Sequence, residues 1–291
     1  MSRRDAVFTS FVSGEFSSRQ EGKIDSEAYR NSCRILENLI IVPAGGVDRC
    51  PGTRYIALAN QQTAEHYGRM IPWMKSIYDS APFALEFSGI GGGSADVKLR
   101  FYQNGFQIQS GGSPFEFVSP YASSVLPKVR YVQSENVMYF VHPGYPVYKL
   151  TKTGTGDTAW TFAAVTFTGG ASDEKFDATN QYPRACAIHE QRLILAGTNY
   201  NPQTVWGSKT GSFEDFTTGS TDADAYQHTI KIDKSFTIYS VVAKIDLHIF
   251  TDLGEIKLTG SGAPLTGSNV FVHPQSDYGS ADIQPEQLAD T

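Results

Sequence analysis

The side chains in this 291-residue chain whose types and spacing best suit chemistry are acidic and lie in one polar stretch. Glu214-Asp215 and Asp222/Asp224 fall within SFEDFTTGSTDADAYQH, and paired carboxylates cleave glycosidic bonds when held ~5–9 Å apart. The Asp-Ala-Asp step also offers oxygen ligands for calcium, but the remaining ligands and the glycine of an EF-hand loop are missing. Since Gly, Ser and Thr surround these acids, we interpret the stretch as a solvated acidic loop.

Histidine spacing gives no sign of a metal or catalytic site. No pair shows an HxH, HExxH or HxxxH arrangement, and the six histidines are His66, His142, His189, His228, His248 and His273. The turn residues around His142 and His189 predict that both are surface or turn residues. The sequence also has no GxSxG elbow, P-loop or dinucleotide fingerprint. We therefore predict no catalytic residues, no cofactor and no metal.

Cysteine usage and apolar runs limit the class of protein. Cys33, Cys50 and Cys186 are too scattered for a disulfide framework or a zinc ribbon, so we expect buried or reduced thiols. The N-terminus lacks the apolar region of a signal peptide, and no run approaches the ~18 apolar residues of a membrane span.

Charge is unevenly distributed along the chain. The net charge is −6, and residues 210–291 hold four Lys/Arg against twelve Asp/Glu. A protein that grips nucleic acid usually shows a basic stripe, whereas this region is strongly acidic.

The elements expected near the N-terminus are a helix and a β-ribbon. DSEAYRNSCRILENL has Asp25 or Ser26 as N-cap and an apolar stripe at helical spacing, which predicts a helix from about residue 25 to residue 40. IVPAGGVDRC then reads as strand, Gly-Gly turn and strand, with a second turn at Cys50-Pro51-Gly52 and a further strand from Arg54 to Leu58.

The rest of the chain reads as strands and turns. Asn104-Gly105 between two alternating runs is a strong hairpin signal. A weak internal repeat of strand, polar turn, apolar strand, loop and strand recurs at 131–152, 185–209 and 240–260. Repeated antiparallel units are typical of propeller blades, and a generic β-sandwich is the alternative.

We therefore predict a mainly β fold with propeller-like antiparallel sheets and a small N-terminal helix-plus-ribbon region. The predicted regions are 1–60 for assembly, 61–127 as a β-rich platform, and 128–291 as propeller-like blades, of which three are counted where a closed propeller needs at least about four.

The N-terminal region resembles that of phage tail tubular protein B, the tail nozzle family of short-tailed phages. The resemblance rests on an ordered motif that ends in a GG-x-x-R-x-PGT-R run, and later blocks extend it over most of the chain. The matching positions are Gly14, Glu15, Tyr29, Arg34, Asn38, Pro43, Gly45, Gly46, Arg49, Pro51, Gly52, Thr53 and Arg54. Ser18 stands where the family often has proline, and family members are commonly longer.

The resemblance implies a structural virion protein without enzymatic activity. Such a protein forms a homo-oligomer, expected to be a hexamer, in the phage tail and is made in the bacterial host cytoplasm. It binds adaptor and portal-side proteins above and tail fibres or spikes outside, and it surrounds the channel that retains and then releases double-stranded DNA.

We expect the motif residues to form a subunit interface, with Arg49 and Arg54 as carboxylate-binding groups. Intrachain salt bridging of these arginines is the alternative. Asp222 and Asp224 are candidates for an acidic channel lining, because a conduit should repel phosphates over about 8 Å at physiological salt. Ordinary solubilising surface is the alternative for these two residues.

Two other functions stay open at the level of the sequence. One is a virion-associated β-propeller that binds or depolymerises carbohydrate, with Trp160 and Trp206 as candidate exposed stacking surfaces. The other is a trimeric receptor-binding or tail-fibre protein.

Overall fold

A computed structural model of the chain describes residues 9–60, 68–75, 82–89, 96–169 and 176–286. The chain forms two compact units, Met1–Tyr55 and Ile56–Thr291. The second unit contains both the predicted platform and the predicted blades, and the boundaries predicted at residues 60 and 127 stay predictions.

The N-terminal unit consists of very short elements. Its strands β1 and β2 pair in parallel, and β3 and β4 pair in antiparallel. In chain order the elements are β1 Gly14–Glu15, a 3-10 helix Ser18–Gln20, α1 Glu27–Arg30, β2 Ser32–Cys33, β3 Leu39–Ile41 and β4 Val47–Arg49.

The predicted helix over residues 25–40 is wrong beyond its first turn. Helix α1 ends at Arg30, and the Ser32 hydroxyl donates to the carbonyl of Tyr29 at 2.9 Å. A side chain that bonds nearby backbone competes with helix continuation, and β2 then pairs with β1 instead.

The predicted ribbon is confirmed at its Gly-Gly turn and wrong after it. Leu39 pairs with Arg49 and Ile41 with Val47, around the turn that contains Gly45. The described residues 50–59 form no strand, so the further strand predicted from Arg54 to Leu58 is wrong. Pro51 lacks the N–H that a continued ladder needs.

The second unit begins with a five-stranded antiparallel sheet, called sheet I. Its strand order is β11-β7-β6-β5, with β8 also paired to β7. Its strands, with the small β9–β10 hairpin, are β5 Arg69–Trp73, β6 Phe83–Gly89, β7 Val97–Gln103, β8 Phe106–Gln107, β9 Gln109–Ser110, β10 Ser113–Pro114 and β11 Glu116–Val118. The predicted hairpin is confirmed, since Asn104 and Gly105 turn between β7 and β8 with φ of 52° and 76°.

Three four-stranded antiparallel sheets follow, and each contains one of the three repeats found in the sequence. A 3-10 helix, Ser123–Lys128, leads into them. Sheet II consists of β12 Arg130–Ser134, β13 Val137–His142, β14 Tyr145–Lys152 and β15 Trp160–Ala164. Sheet III consists of β17 Ala185–His189, β18 Arg192–Ala196, β19 Thr204–Gly207 and β21 Tyr226–Thr229, with the parallel pair β16 Thr168–Gly169 and β20 Asp215–Phe216 beside it. Sheet IV consists of β22 Ile238–Ala243, β23 Leu247–Thr251, β24 Glu255–Thr259 and β25 Phe271–Ser276.

The four sheets pack face to face through three apolar layers. On β13, Met138 and Phe140 join the layer with sheet I, while Tyr139 and Val141 join the layer with sheet III. The same alternation continues on β18, where Leu195 faces sheet II and Ile194 faces sheet IV. Because sheets II and III bury both faces, neither is stable without its neighbours.

The first strands of sheets II, III and IV lie side by side, and each is an edge strand of its own sheet. This is the arrangement expected of propeller blades around an axis. The prediction of a mainly β fold of antiparallel sheets is confirmed, and the closed propeller stays a prediction. Among the described residues, no helix has the length and apolarity needed to cross a bilayer.

Candidate assembly interface

The N-terminal unit has no apolar core of its own. Of the described residues 9–55, only Gly14 and Gly45 are buried. The large apolar side chains left exposed in this unit are Val12, Ile24, Tyr29, Ile35, Leu39, Ile40 and Tyr55. A unit of this size cannot bury enough apolar area by itself, so it gains stability when another surface covers these side chains.

Two glycines of the motif have conformations that only glycine adopts easily. Gly14 has φ of +67°, and a Cβ there would lie 3.1 Å from Ile41 Cδ1. Gly45 has φ of +99°, and a Cβ there would lie 2.8 Å from Ser10 Oγ. The Phe11 N–H donates to the Gly45 carbonyl at 2.8 Å. These positions are therefore fixed by the fold of the unit itself.

Other motif residues also make contacts within the unit. The Glu15 carboxylate accepts from the Leu36 N–H at 2.9 Å, and the Asn38 carbonyl accepts from the Cys50 N–H at 2.8 Å. Tyr29 packs edge-to-face on Phe16, and Arg34 pairs with Glu21 at 3.5 Å. The Arg34 pair is largely exposed and so adds little stability.

The remaining motif residues project to the surface. They are Pro43, Gly46, Arg49, Pro51, Gly52, Thr53 and Arg54, and all are exposed. Arg49 lies on β4 next to exposed Leu39 on β3. The ribbon thus presents guanidinium and apolar groups together, a combination enriched in protein interfaces.

The two acidic channel candidates lie in one loop that a buried arginine holds. Arg192 donates to the carbonyls of Ser208 at 2.6 Å and Asp224 at 2.7 Å, and to the carbonyl of Asp222. Burial lowers the pKa of the Arg192 guanidinium. Arg192 therefore holds the loop through backbone carbonyls, and the carboxylates of Asp222 and Asp224 take no part in these hydrogen bonds.

The carboxylates of these two acids differ in their surroundings. Asp224 accepts from the Thr221 N–H at 2.9 Å and from the Thr221 hydroxyl at 2.8 Å, and these hydrogen bonds lower the pKa of its carboxyl group. Asp222 is exposed. Asp224 therefore shapes the turn, while the Asp222 carboxylate faces solvent.

Several sequence predictions about individual side chains are wrong. His142 and His189 are the last residues of β13 and β17, directly before a turn, and both are buried rather than at the surface. Trp160 and Trp206 are 6% and 3% exposed, since both fill layers between sheets. The prediction of buried or reduced thiols, in contrast, agrees with the structure: Cys33, Cys50 and Cys186 are free thiols, and Cys186 is buried. His66 lies outside the described residues.

Metal-binding geometry does not occur in the described part of the chain. No group of three or more His, Cys, Asp or Glu side chains there could hold an ion.

Sequence reasoning missed one charged cluster in the second unit. Arg130, on β12, pairs with Asp282 beyond sheet IV, at 2.7 Å between Nη2 and Oδ1. The two residues lie far apart in the sequence, and neither belongs to a recognisable motif. An arginine inside the apolar start of a strand was the only available signal.

The chain was compared with models of known protein families and with curated proteins. No family model matches it. No curated protein matches it either. The resemblance to the tail nozzle family therefore stays a prediction.

Proposed function

We propose that this chain is a structural virion protein, a subunit of a phage tail nozzle that attaches below the portal and adaptor and surrounds the DNA channel. The observation that supports it best is the N-terminal unit, which has strands but no buried apolar side chain among residues 9–55. Such a unit gains stability only when another surface covers its exposed apolar groups.

The motif residues divide between two roles under this proposal. Gly14, Glu15, Asn38 and Gly45 shape the unit, and the exposed ribbon with Arg49 and Arg54 contacts a neighbouring subunit or the adaptor. Arginine suits this role because its planar guanidinium binds a carboxylate through two parallel hydrogen bonds.

The second unit supplies a rigid wall. Sheets I to IV are joined by three continuous apolar layers, and close-packed interiors deform little under load. A conduit for a pressurised duplex needs such stiffness.

Asp222 is the better candidate of the two for the channel lining. Its carboxylate is exposed, whereas that of Asp224 bonds Thr221. Repeated around a ring, one such carboxylate per subunit would repel the phosphates of a passing duplex.

The carbohydrate alternative loses its specific support. Trp160 and Trp206 were its candidate stacking surfaces, and both are buried between sheets.

The experiment that tests the proposal is electron cryo-microscopy of the purified full chain. The proposal predicts rings with an axial channel, with Asp222 on its wall. Particles of single separate copies, or turnover of a bacterial polysaccharide by the same preparation, would contradict it. Arg49→Glu should abolish the rings, and Arg19→Glu, on an exposed 3-10 helix outside the matched positions, is the matched control.

A further inference from the structure

Three cationic side chains converge on one carboxylate in the second unit. Arg130 Nη2 lies 2.7 Å from Asp282 Oδ1, while Lys128 Nζ and Arg184 Nη1 lie 3.3 Å and 3.7 Å from Oδ2. Three positive charges thus share one negative charge at this point. We call the three cationic residues, Lys128, Arg130 and Arg184, the cradle.

The cradle has donors that no acceptor satisfies. The Arg130 side chain is 3% exposed, and its Nε and Nη1 groups, like Nε of Arg184, have no hydrogen-bond partner in the described protein. Buried N–H groups of charged side chains are expensive to leave unpaired. The surplus charge therefore coincides with surplus donors.

The neighbouring groups are a further cation, Arg69, a carboxylate, Glu286, and the imidazole of His142, so the charge surplus of the cradle is left in place. Burial lowers the pKa of Arg130, and the nearby Arg69 and Arg184 act in the same direction, with Asp282 opposing them. Glu286 lines the adjacent cavity, and it raises the pKa of Arg69, opposing the effect of burial there. His142 also faces the cluster, and burial lowers its pKa to about 4, so this side chain is neutral near pH 7.

The cradle is open to solvent on one side. The Lys128 side chain is 61% exposed, and those of Arg184 and Asp282 are about one-fifth exposed. Next to it lies a cavity of about 310 Å³ between β12, β17 and β22, covered in part by Gln284–Glu286. A small anion can therefore approach Lys128 and Arg184 without unfolding a sheet.

Asp282 lies in an irregular segment that follows sheet IV. Gln284 holds this segment to β12, since its side chain accepts from the Tyr131 N–H and donates to the Tyr131 carbonyl, both at 3.2 Å. The segment belongs to no strand or helix. A swing of Asp282 would free the cationic groups while Gln284 keeps its contacts.

We propose that the cradle is a binding site for a phosphate-class oxyanion, which Asp282 occupies as an internal substitute. A tetrahedral dianion brings twice the charge of a carboxylate and more acceptor oxygens. It can therefore accept from Arg130, Lys128 and Arg184 at the same time. Asp282 and the oxyanion cannot bind the cradle at the same time. The proposal of this site does not depend on the proposed function.

The test is calorimetric titration of the purified full chain with inorganic phosphate at constant ionic strength, with chloride as the reference anion. Asp282→Asn removes the internal competitor at nearly constant shape and should bind phosphate at least about tenfold more tightly than the natural chain. Lys128→Ala in that background should reverse most of the gain. Asp277→Asn is the matched control, since Asp277 is exposed and pairs only loosely with Lys234 at 3.5 Å.

Two further arms complete the test. A short DNA duplex is titrated into the same variants to test whether the site also binds a phosphodiester. If the duplex competes with phosphate, the site binds both; if it does not compete, the site binds free phosphate alone. If Asp282→Asn is unfolded, recovery of its folding by phosphate but not by chloride supports the cradle. Equal phosphate affinity in Asp282→Asn and Asp277→Asn, or an unfolded Asp282→Asn that phosphate does not restore, would overturn the inference.

Discussion

Arg130 and Asp282 form an ion pair across 152 positions of the sequence, with 2.7 Å between Nη2 and Oδ1. Arg130 begins the first strand of sheet II, and Asp282 follows the last strand of sheet IV. The pair therefore connects the segment after sheet IV to the first strand of sheet II. Because Arg130 is buried, removal of Asp282 would leave an uncompensated buried charge, and this is the main reason why loss of the pair lowers the stability of the fold.

Asp282→Asn should lower the free energy of unfolding of the chain in chloride buffer by about 3 kcal/mol. The reason is that Arg130 stays buried without its carboxylate. Chemical denaturation measures the change, with Asp277→Asn as control, for which the expected change is within about 0.5 kcal/mol. Equal stabilities of the two variants would show that the ion pair does not hold the segment.

Leu193→Ala tests whether the sheets form one cooperative stack. Leu193 is fully buried in the layer between sheets II and III, so its truncation should cost about 2–5 kcal/mol. Leu253→Ala is the matched control, because Leu253 is 42% exposed and should cost less than about 1 kcal/mol. Similar losses for both leucines in thermal unfolding would contradict the stacked arrangement.

Gly45→Ala should unfold the N-terminal unit locally. The positive φ and the 2.8 Å approach to Ser10 Oγ leave no room for a Cβ, and the strain is about 1–3 kcal/mol. Hydrogen exchange at the Phe11 amide, which donates to Gly45, should then become faster. Gly46→Ala, where a Cβ would meet nothing within 4 Å, should leave that exchange unchanged. Unchanged exchange in Gly45→Ala would count against the described turn.

His142 should make the stability of the second unit depend on pH between about 6.5 and 4. Burial lowers its pKa from 6.5 to about 4, so the unfolded chain takes up the proton first. The stabilisation of the folded state by the neutral His142 is fully present above pH 6.5 and is lost as pH falls towards 4. The free energy of unfolding therefore decreases over this range, by at most about 1.4 kcal/mol per pH unit. Carboxylates with lowered pKa, such as Asp224, titrate below 3.8 and fall outside this window.

Denaturation at a series of pH values measures this slope. His142→Gln should reduce it and leave the part due to His228, whose pKa burial also lowers; His273→Gln, which changes an exposed side chain, serves as the control. A slope that His142→Gln leaves unchanged would assign the dependence to another group.

The parts of the fold that follow from local pattern were predictable. Alternation and turn chemistry marked the hairpin at Asn104-Gly105 and the three repeats, because both are encoded within a few residues. The helix over residues 25–40 failed for the opposite reason. Its apolar spacing was helical, but Ser32 bonds the preceding turn and Cys33 joins a strand pair, which the spacing does not report.

The parts that depend on distant contacts were not predictable. Trp160 and Trp206 looked like exposed stacking surfaces, because one sequence does not show which faces of a sheet its neighbours cover. The Arg130–Asp282 pair had no local signal for the same reason. The absence of an apolar core in the N-terminal unit was not predictable either, because the predicted long helix would have supplied an apolar face, whereas the actual helix is one turn long.

The central claim is that the exposed apolar and arginine surface of the N-terminal unit is covered by another copy of the chain. Native mass spectrometry of the purified full chain, over a range of protein concentrations, tests it most directly. We predict a closed assembly of six copies that Arg49→Glu dissociates and Arg19→Glu does not. A natural chain that stays a monomer at every concentration, with its N-terminal unit fully protected from hydrogen exchange, would contradict it.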